Sequence, residues 1–212
     1  MKHKLSPRVA LEEWEGFCSR FHFPREELPA IQGIYTAMLP LVEAYAYYSL
    51  EQDMEQVVLP HYAYGLVTLG KGVDELAELY LKHEKLQEAY IVDCISLLLL
   101  SSAYEELAHE VEKEKGLYLS KLTFLGDTYP VTLLPRMFQC LAPDTICLTE
   151  GQMLKPLKTA ALILQLEEKP QKDVKQACDT CAECKNFSCP SRRKTPQSLP
   201  RTYGAMQIFH IT

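Results

Sequence analysis

The stretch Leu86–Lys115 constrains the fold of this chain more than any other part of the sequence. Apolar residues recur along it at the three- and four-residue spacing of one helix face: Leu97, Leu100, Tyr104, Leu107 and Val111. A second apolar face is formed by Ile91, Ile95 and Leu98, so the first half of the helix is expected to be buried on all sides. The second half, EELAHEVEKEK, is charged and is expected to be solvated, and Gly116 ends the helix.

Shorter patterns predict helices and strands on both sides of this stretch. Helical spacing and helix-start signals predict helices at residues 8–20, 24–38, 73–80 and 133–141. Apolar, β-branched and aromatic runs predict strands at residues 44–50, 63–69, 117–125, 146–148, 160–166 and 202–211, with a helix as the alternative at residues 44–50. Glycines predict a turn at residues 70–72 and a loop at residues 126–130.

Composition excludes several classes of protein. The 212 residues fit one domain, or one domain with a small appendage, and 47% hydrophobic residues suffice for a core. A net charge of −6 argues against nucleic acid as the main partner, because phosphate contacts need a basic face. No signal peptide follows the first lysines, and the apolar run at residues 91–100 is too interrupted to span a bilayer. The expected location is the cytoplasm.

A second feature is a compressed run of cysteines near the end of the chain. Four of the eight cysteines have the spacing C-x2-C-x2-C-x4-C and are followed by Pro190: Cys178, Cys181, Cys184 and Cys189. Thiolates are strong ligands for soft metals, and a chain without an export signal is expected to keep its thiols reduced. The run therefore predicts a metal site, with disulfides or a reactive thiol cluster as the alternatives.

The spacing favours an iron–sulfur cluster over zinc. It is similar to the C-x2-C-x2-C-x3-C-P run of bacterial ferredoxins, with a last gap that is one residue longer. Zinc also accepts four thiolates, but usually from two separated pairs. The remaining cysteines lie among apolar residues and are predicted to be small core side chains: Cys18, Cys94, Cys140 and Cys147.

Three charged residues outside the cysteine run are candidate ligand contacts. Asp93 shares a face of the long helix with apolar residues, so it is expected to be a buried acid that pairs structurally or contacts a ligand. Lys155 and Lys158 flank Pro156 and could hold a carboxylate or phosphate, or cap a loop. The histidines show no spacing that defines a catalytic triad, so a hydrolase is not expected.

Four pieces of the sequence together resemble the activation (reactivation) domain of vitamin B12-dependent methionine synthase, in a short stand-alone form. The resemblance covers roughly residues 60–193, and its specificity lies in the order of the pieces. They are YGLVTLG at 64–70, AYIVDCISLLLLSSAYEEL at 89–107, LTFLGDTYPVTLLPRMFQCL at 122–141 and ICLTEGQMLKPLKTAALIL at 146–164. Short members of the family often end in a cysteine-rich tail, as this chain does.

The resemblance implies an α/β (α+β) fold, with a twisted antiparallel sheet and helices packed around it. It implies a domain at residues 1–166 and a metal-binding tail at residues 167–212. In the full-length enzyme of methionine biosynthesis this domain binds S-adenosylmethionine and presents its methyl group to the corrinoid after cob(II)alamin has formed. The implied partner is a cobalamin-binding methionine synthase module. The loop at residues 124–131, with Tyr129 against the ring, and the element at residues 153–158 would face it.

The chain departs from the family at the methyl-donor contact. Aligning Tyr129-Pro130 with the family's Trp-Pro puts Lys121 at the position of an arginine and Leu125-Gly126 at a Gly-Tyr. Lysine keeps the charge but lacks the bidentate fork of arginine, so the sequence predicts weak S-adenosylmethionine binding. Two other functions fit the same sequence: a small iron–sulfur electron-transfer protein, and an interaction module with a structural zinc site.

Overall fold

The computed structural model describes residues 1–51, 61–126 and 129–170. At its centre is a five-stranded antiparallel sheet with the strand order β1-β2-β3-β7-β4. The strands of this sheet are β1 (Lys2–Lys4), β2 (Tyr45–Glu51), β3 (Tyr62–Thr68), β4 (Tyr118–Phe124) and β7 (Thr159–Glu167). A separate two-stranded hairpin is formed by β5 (Cys147–Leu148) and β6 (Leu154–Lys155).

Five α-helices connect and cover these strands in the part of the chain that the structure describes. They are α1 (Leu11–Phe21), α2 (Leu28–Met38), α3 (Lys71–Lys82), α4 (Leu86–Lys115) and α5 (Leu134–Leu141). Short 3-10 turns occupy Arg25–Glu27, Leu39–Leu41 and Val131–Leu133. The predicted mixture of helices and an antiparallel sheet is therefore confirmed.

Helix α4 has the bounds that its sequence predicts, and it forms the axis of the larger core. It ends at Gly116, whose φ of 64° lies in the left-handed region that glycine adopts without strain. By length and composition alone α4 could cross a membrane, but 56% of the 18-residue apolar stretch that meets this criterion is buried inside the protein. One residue of the predicted apolar face is misplaced: Leu97 is 44% exposed, whereas Leu107 is fully buried.

The alternation of side chains along the strands separates two hydrophobic cores, one on each face of the sheet. On the first face Ala46, Val67 and Leu164 pack beneath helices α1 to α4, in what we call the helix core. On the opposite face Tyr64, Leu66 and other inward residues pack against α5, in what we call the α5 core. The central strand β3 is buried on both faces, because each of its sides lies under one of the two cores.

Several local predictions are wrong in detail. Residues 70–72 do not form a turn: Gly70 caps the start of α3, and Lys71 is already helical. Cys140 and Cys147 are exposed, not buried, because they lie on the outer sides of α5 and the β5–β6 hairpin; Cys18 and Cys94 are buried as predicted. Strands β1 and β6 were not predicted, since each is too short to show a pattern of its own.

Three predictions lie outside the described residues. They are the cysteine metal site at Cys178, Cys181, Cys184 and Cys189, the division of the chain into a domain and a tail, and the strand at residues 202–211. They remain predictions.

Candidate functional site

The loop that follows β4 turns back onto the sheet and brings Tyr129 against the α5 core. The Leu125 amide donates to the Ala161 carbonyl at 3.0 Å, and the Gly126 amide donates to the Tyr129 carbonyl at 2.7 Å. The Tyr129 ring is partly buried against the α5 core, and its hydroxyl hydrogen bonds to Tyr62. Burial raises the pKa of the Tyr62 phenol above its ordinary value, and the neighbouring Tyr129 raises it further. The Tyr62 phenol therefore stays protonated and neutral at physiological pH.

The β5–β6 hairpin packs on the same core and points its tip into solvent. Leu148 and Leu154 contact the α5 core, while Lys155, which pairs with Cys147, is exposed. The turn is closed by the Thr149 amide, which donates to the Met153 carbonyl at 2.9 Å, and by the Met153 amide, which donates to the Thr149 hydroxyl at 3.0 Å. Local bonds fix this tip, so its exposed side chains are held in place on the surface.

The segment after the hairpin is attached to helices α3 and α4 through two carboxylates. The Leu157 amide donates to Asp74 Oδ2 at 2.5 Å, and Lys158 Nζ donates to Asp93 Oδ1 at 2.7 Å. The Lys158 carbonyl in turn accepts from the Leu69 amide at 3.0 Å. Because all three partners belong to the helix side of the sheet, residues 157–158 join the hairpin to the helix core.

Asp93 differs from its predicted environment. The sequence suggests a buried acid, but the side chain is 54% exposed, since its face of α4 borders the segment at residues 157–158 and not the core. The sequence leaves open whether Asp93 pairs structurally or contacts a ligand, and its ion pair with Lys158 fits the structural role. Its neighbour Cys94 is buried, and burial raises the pKa of that thiol to about 11, so it remains a protonated core side chain at neutral pH.

The structure divides the predicted ligand residues between the two faces of the sheet. Lys121 pairs with Gln165 across β4 and β7, and Gln165 pairs with Tyr62 on the other side, so these three share one row and one face. Tyr129 lies on that same face through its contact with Tyr62. Asp93 belongs to α4 on the opposite face. Lys121 and Tyr129 can therefore contribute to one site, whereas Asp93 and Lys158 form a separate pair.

The N-terminal strand contributes polar contacts that the sequence did not predict. Lys2 Nζ lies 2.7 and 2.8 Å from the two carboxylate oxygens of Asp144, which also accepts a hydrogen bond from the Tyr47 hydroxyl. These bonds, that of Lys2 first, lower the pKa of Asp144. No local sequence pattern predicts this cluster, because Lys2 and Asp144 are 142 positions apart and come together through the β1–β2 pairing.

These elements define a class of domain: a five-stranded antiparallel sheet with four helices on one face, and a fifth helix, a loop and a hairpin on the other. Among solved structures, the chain is similar to the MetH reactivation domain, whose crystal structure was determined bound to AdoHcy. The TM-score is 0.55 at 11% sequence identity, over 82% of this chain and 80% of that chain. This similarity shows a shared fold and confirms the fold class predicted above. No family model and no curated protein matches the chain.

Proposed function

We propose that this protein is a partner of a cobalamin-dependent methionine synthase and assists the reductive reactivation of its corrinoid. The observation that carries the proposal is the fold shared with the MetH reactivation domain over four-fifths of both chains. A fold alone hosts many functions, so the proposal also needs a surface suited to the partner.

In this proposal the surface belongs to the loop after β4 and the segment around β6. Three large apolar side chains on these segments are exposed: Val131 by 47%, Met153 by 56% and Leu157 by 55%. We call these three the loop surface. Residues behind it, including Tyr129 and Leu154, pack on the α5 core and hold it in place. Exposed apolar side chains on anchored loops are typical of a binding surface, and the exposed Lys155 beside them suits an acidic partner or polar groups at the corrinoid edge.

The methyl donor in this proposal is S-adenosylmethionine, contacted through Lys121. The side chain is partly exposed on the α5 face of the sheet, in the row that also contains Tyr62. A lysine offers a carboxylate one charged contact in place of the paired contacts of an arginine. The electron for reactivation comes from a reductase. The predicted metal site at residues 178–189 either passes that electron or stiffens the tail.

Replacing Lys121→Arg is expected to strengthen S-adenosylmethionine binding by about tenfold, because it restores a bidentate charged contact. Isothermal calorimetry on the wild type and the variant measures the change. Lys4→Arg, an exposed lysine on β1, is the control and is expected to leave the affinity unchanged. Low-micromolar binding by the wild type, or an equal affinity in both proteins, would contradict this role of Lys121.

Introducing charge on the loop surface is expected to weaken docking to the corrinoid module. The double variant Met153→Glu/Leu157→Glu replaces two side chains that are more than half exposed, so the fold should tolerate it while the apolar contact is lost. The assay titrates each protein against a methionine synthase B12-binding module in its cob(II)alamin state and also measures the rate of reactivation. We expect association by the wild type and at least about a tenfold weaker complex for the double variant.

Leu11→Glu is the control for this experiment, because Leu11 is 85% exposed at the start of α1 and lies outside the loop surface. It should bind like the wild type. If the wild type neither associates with the module nor changes reactivation, the proposed function fails. An iron–sulfur electron carrier, brown when purified without oxygen, or a colourless zinc module then takes its place.

A further inference from the structure

Strand β1 places an imidazole against the charged half of α4. His3 pairs in register with Ala46 of β2, and its ring stacks on Tyr48, with ring centroids 5.2 Å apart and planes at 28°. The side chain is only 12% exposed. Pairing and stacking together fix the position and the plane of the imidazole.

Two carboxylates one helical turn apart on α4 face this ring from the other side. Glu110 Oε2 lies 3.7 Å from His3 Nδ1, and Glu114 Oε1 lies 3.6 Å from His3 Nε2. One ligand atom from each of the three residues lies within 4.8 Å of the other two. Lys113 lies 3.9 Å from the other Glu110 oxygen, which leaves Oε2 directed at the imidazole.

The imidazole of this cluster lacks a hydrogen bond at one of its two nitrogens. His3 Nε2 is buried from solvent and has no hydrogen-bond partner. A buried nitrogen in this state loses its water without compensation, which costs on the order of 1–3 kcal/mol and requires an explanation. The 3.6 Å between Glu114 Oε1 and His3 Nε2 is longer than a hydrogen bond but suits two ligands of one ion, whereas Glu110 Oε2 is measured from the other ring nitrogen. Ligands about 2.1 Å from a tetrahedral zinc ion are roughly 3.4 Å apart.

Tyr48 orients one of the two carboxylates toward the imidazole. Its hydroxyl donates a hydrogen bond to Glu114 Oε2, which leaves Oε1 directed at His3. An outer hydrogen bond that orients a ligand is typical of metal sites.

We propose that His3, Glu110 and Glu114 form a binding site for a divalent transition-metal ion of the zinc class. One ring nitrogen of His3 and one oxygen of each glutamate are the ligands, and water completes the coordination. One nitrogen and two carboxylate oxygens are a donor set that zinc accepts. None of its ligands belongs to the cysteine run, and the site stands or falls independently of the proposed function.

The alternative is a simple ion pair, in which a protonated His3 lies between two carboxylates and no metal binds. The two are distinguished by Zn²⁺ titration of an untagged full-length protein in which four cysteines are replaced by serine: Cys178, Cys181, Cys184 and Cys189. Removing these thiols prevents them from competing for the probe ion. We expect this protein to bind one Zn²⁺ per chain in calorimetry at pH 7.5.

In this background with the four serines, His3→Gln and Glu114→Gln are each expected to weaken Zn²⁺ binding by at least about tenfold, since each removes a ligand. Tyr48→Phe keeps the stacked ring but removes the orienting hydroxyl, and should weaken binding by about tenfold. Glu105→Gln changes an exposed acid of the same helix outside the cluster and should have no effect. Circular dichroism checks that each variant is folded.

The proposal is overturned if the protein with these four serines binds no Zn²⁺, which is the ion-pair outcome. It is also overturned if His3→Gln and Glu114→Gln, both folded, bind Zn²⁺ as tightly as their parent. As a second readout, Co²⁺ at this site should give the visible spectrum of nitrogen and oxygen ligands, without the intense thiolate bands expected from the cysteine run.

Discussion

Replacing Leu107→Ala should lower the free energy of unfolding by about 3 kcal/mol, the typical cost of truncating a fully buried leucine. Leu107 is inaccessible to solvent, in the section of α4 that crosses β3. Its Cδ2 lies 3.7 Å from the position that a Cβ on Gly65 would occupy, so helix and strand are in close contact there. The surrounding side chains cannot collapse fully into the cavity, because the strand and the helix are both held by other contacts.

Leu97→Ala is the matched control for this measurement. Leu97 belongs to the same helix and to the same apolar spacing, but it is 44% exposed. We expect a change within about 0.5 kcal/mol, since little burial is lost and alanine favours the helix. Urea denaturation of both variants gives the two values. Equal losses would mean that Leu97 is covered by contacts absent from this structure, whereas a negligible loss for Leu107 would contradict the packing of α4 on β3.

Replacing Gly72→Ala should destabilise the protein by about 2 kcal/mol, because an added methyl group has no room. A Cβ at this position would lie 2.6 Å from the carbonyl oxygen of Leu41 and 3.2 Å from its Cβ. The first of these atoms is backbone, in the 3-10 turn Leu39–Leu41, so relief requires movement of the chain itself. Thermal or chemical denaturation measures the loss.

Replacing Gly33→Ala is expected to have the opposite effect on stability. Gly33 lies inside α2, and a Cβ there would meet no atom within 4 Å. Alanine should therefore stabilise the protein by about 0.5–1 kcal/mol through its higher helix propensity. If both substitutions stabilise, the approach of α3 to the 3-10 turn is not as close as described.

The candidate site could be predicted only in part. The sequence identifies Lys121, Tyr129 and Lys155 as residues of interest, and the structure places them on the α5 side of the sheet. It could not separate them from Asp93, since strand pairing decides which face of a sheet a residue occupies. The His3 cluster was also hidden, because its members lie more than 100 positions apart.

The sequence by itself determined those helices and strands that depend on patterns among neighbouring residues. The helix Leu86–Lys115, its end at Gly116 and the strands β2, β3, β4 and β7 follow from periodicity and glycine, because these depend on neighbours within a few residues. The tertiary structure decided which apolar side chains are buried, as the contrast between Leu97 and Leu107 shows. It also determined where the short strands β1 and β6 form and which charged residues, distant in sequence, come into contact. These depend on contacts between segments that are remote in sequence, which no local pattern records.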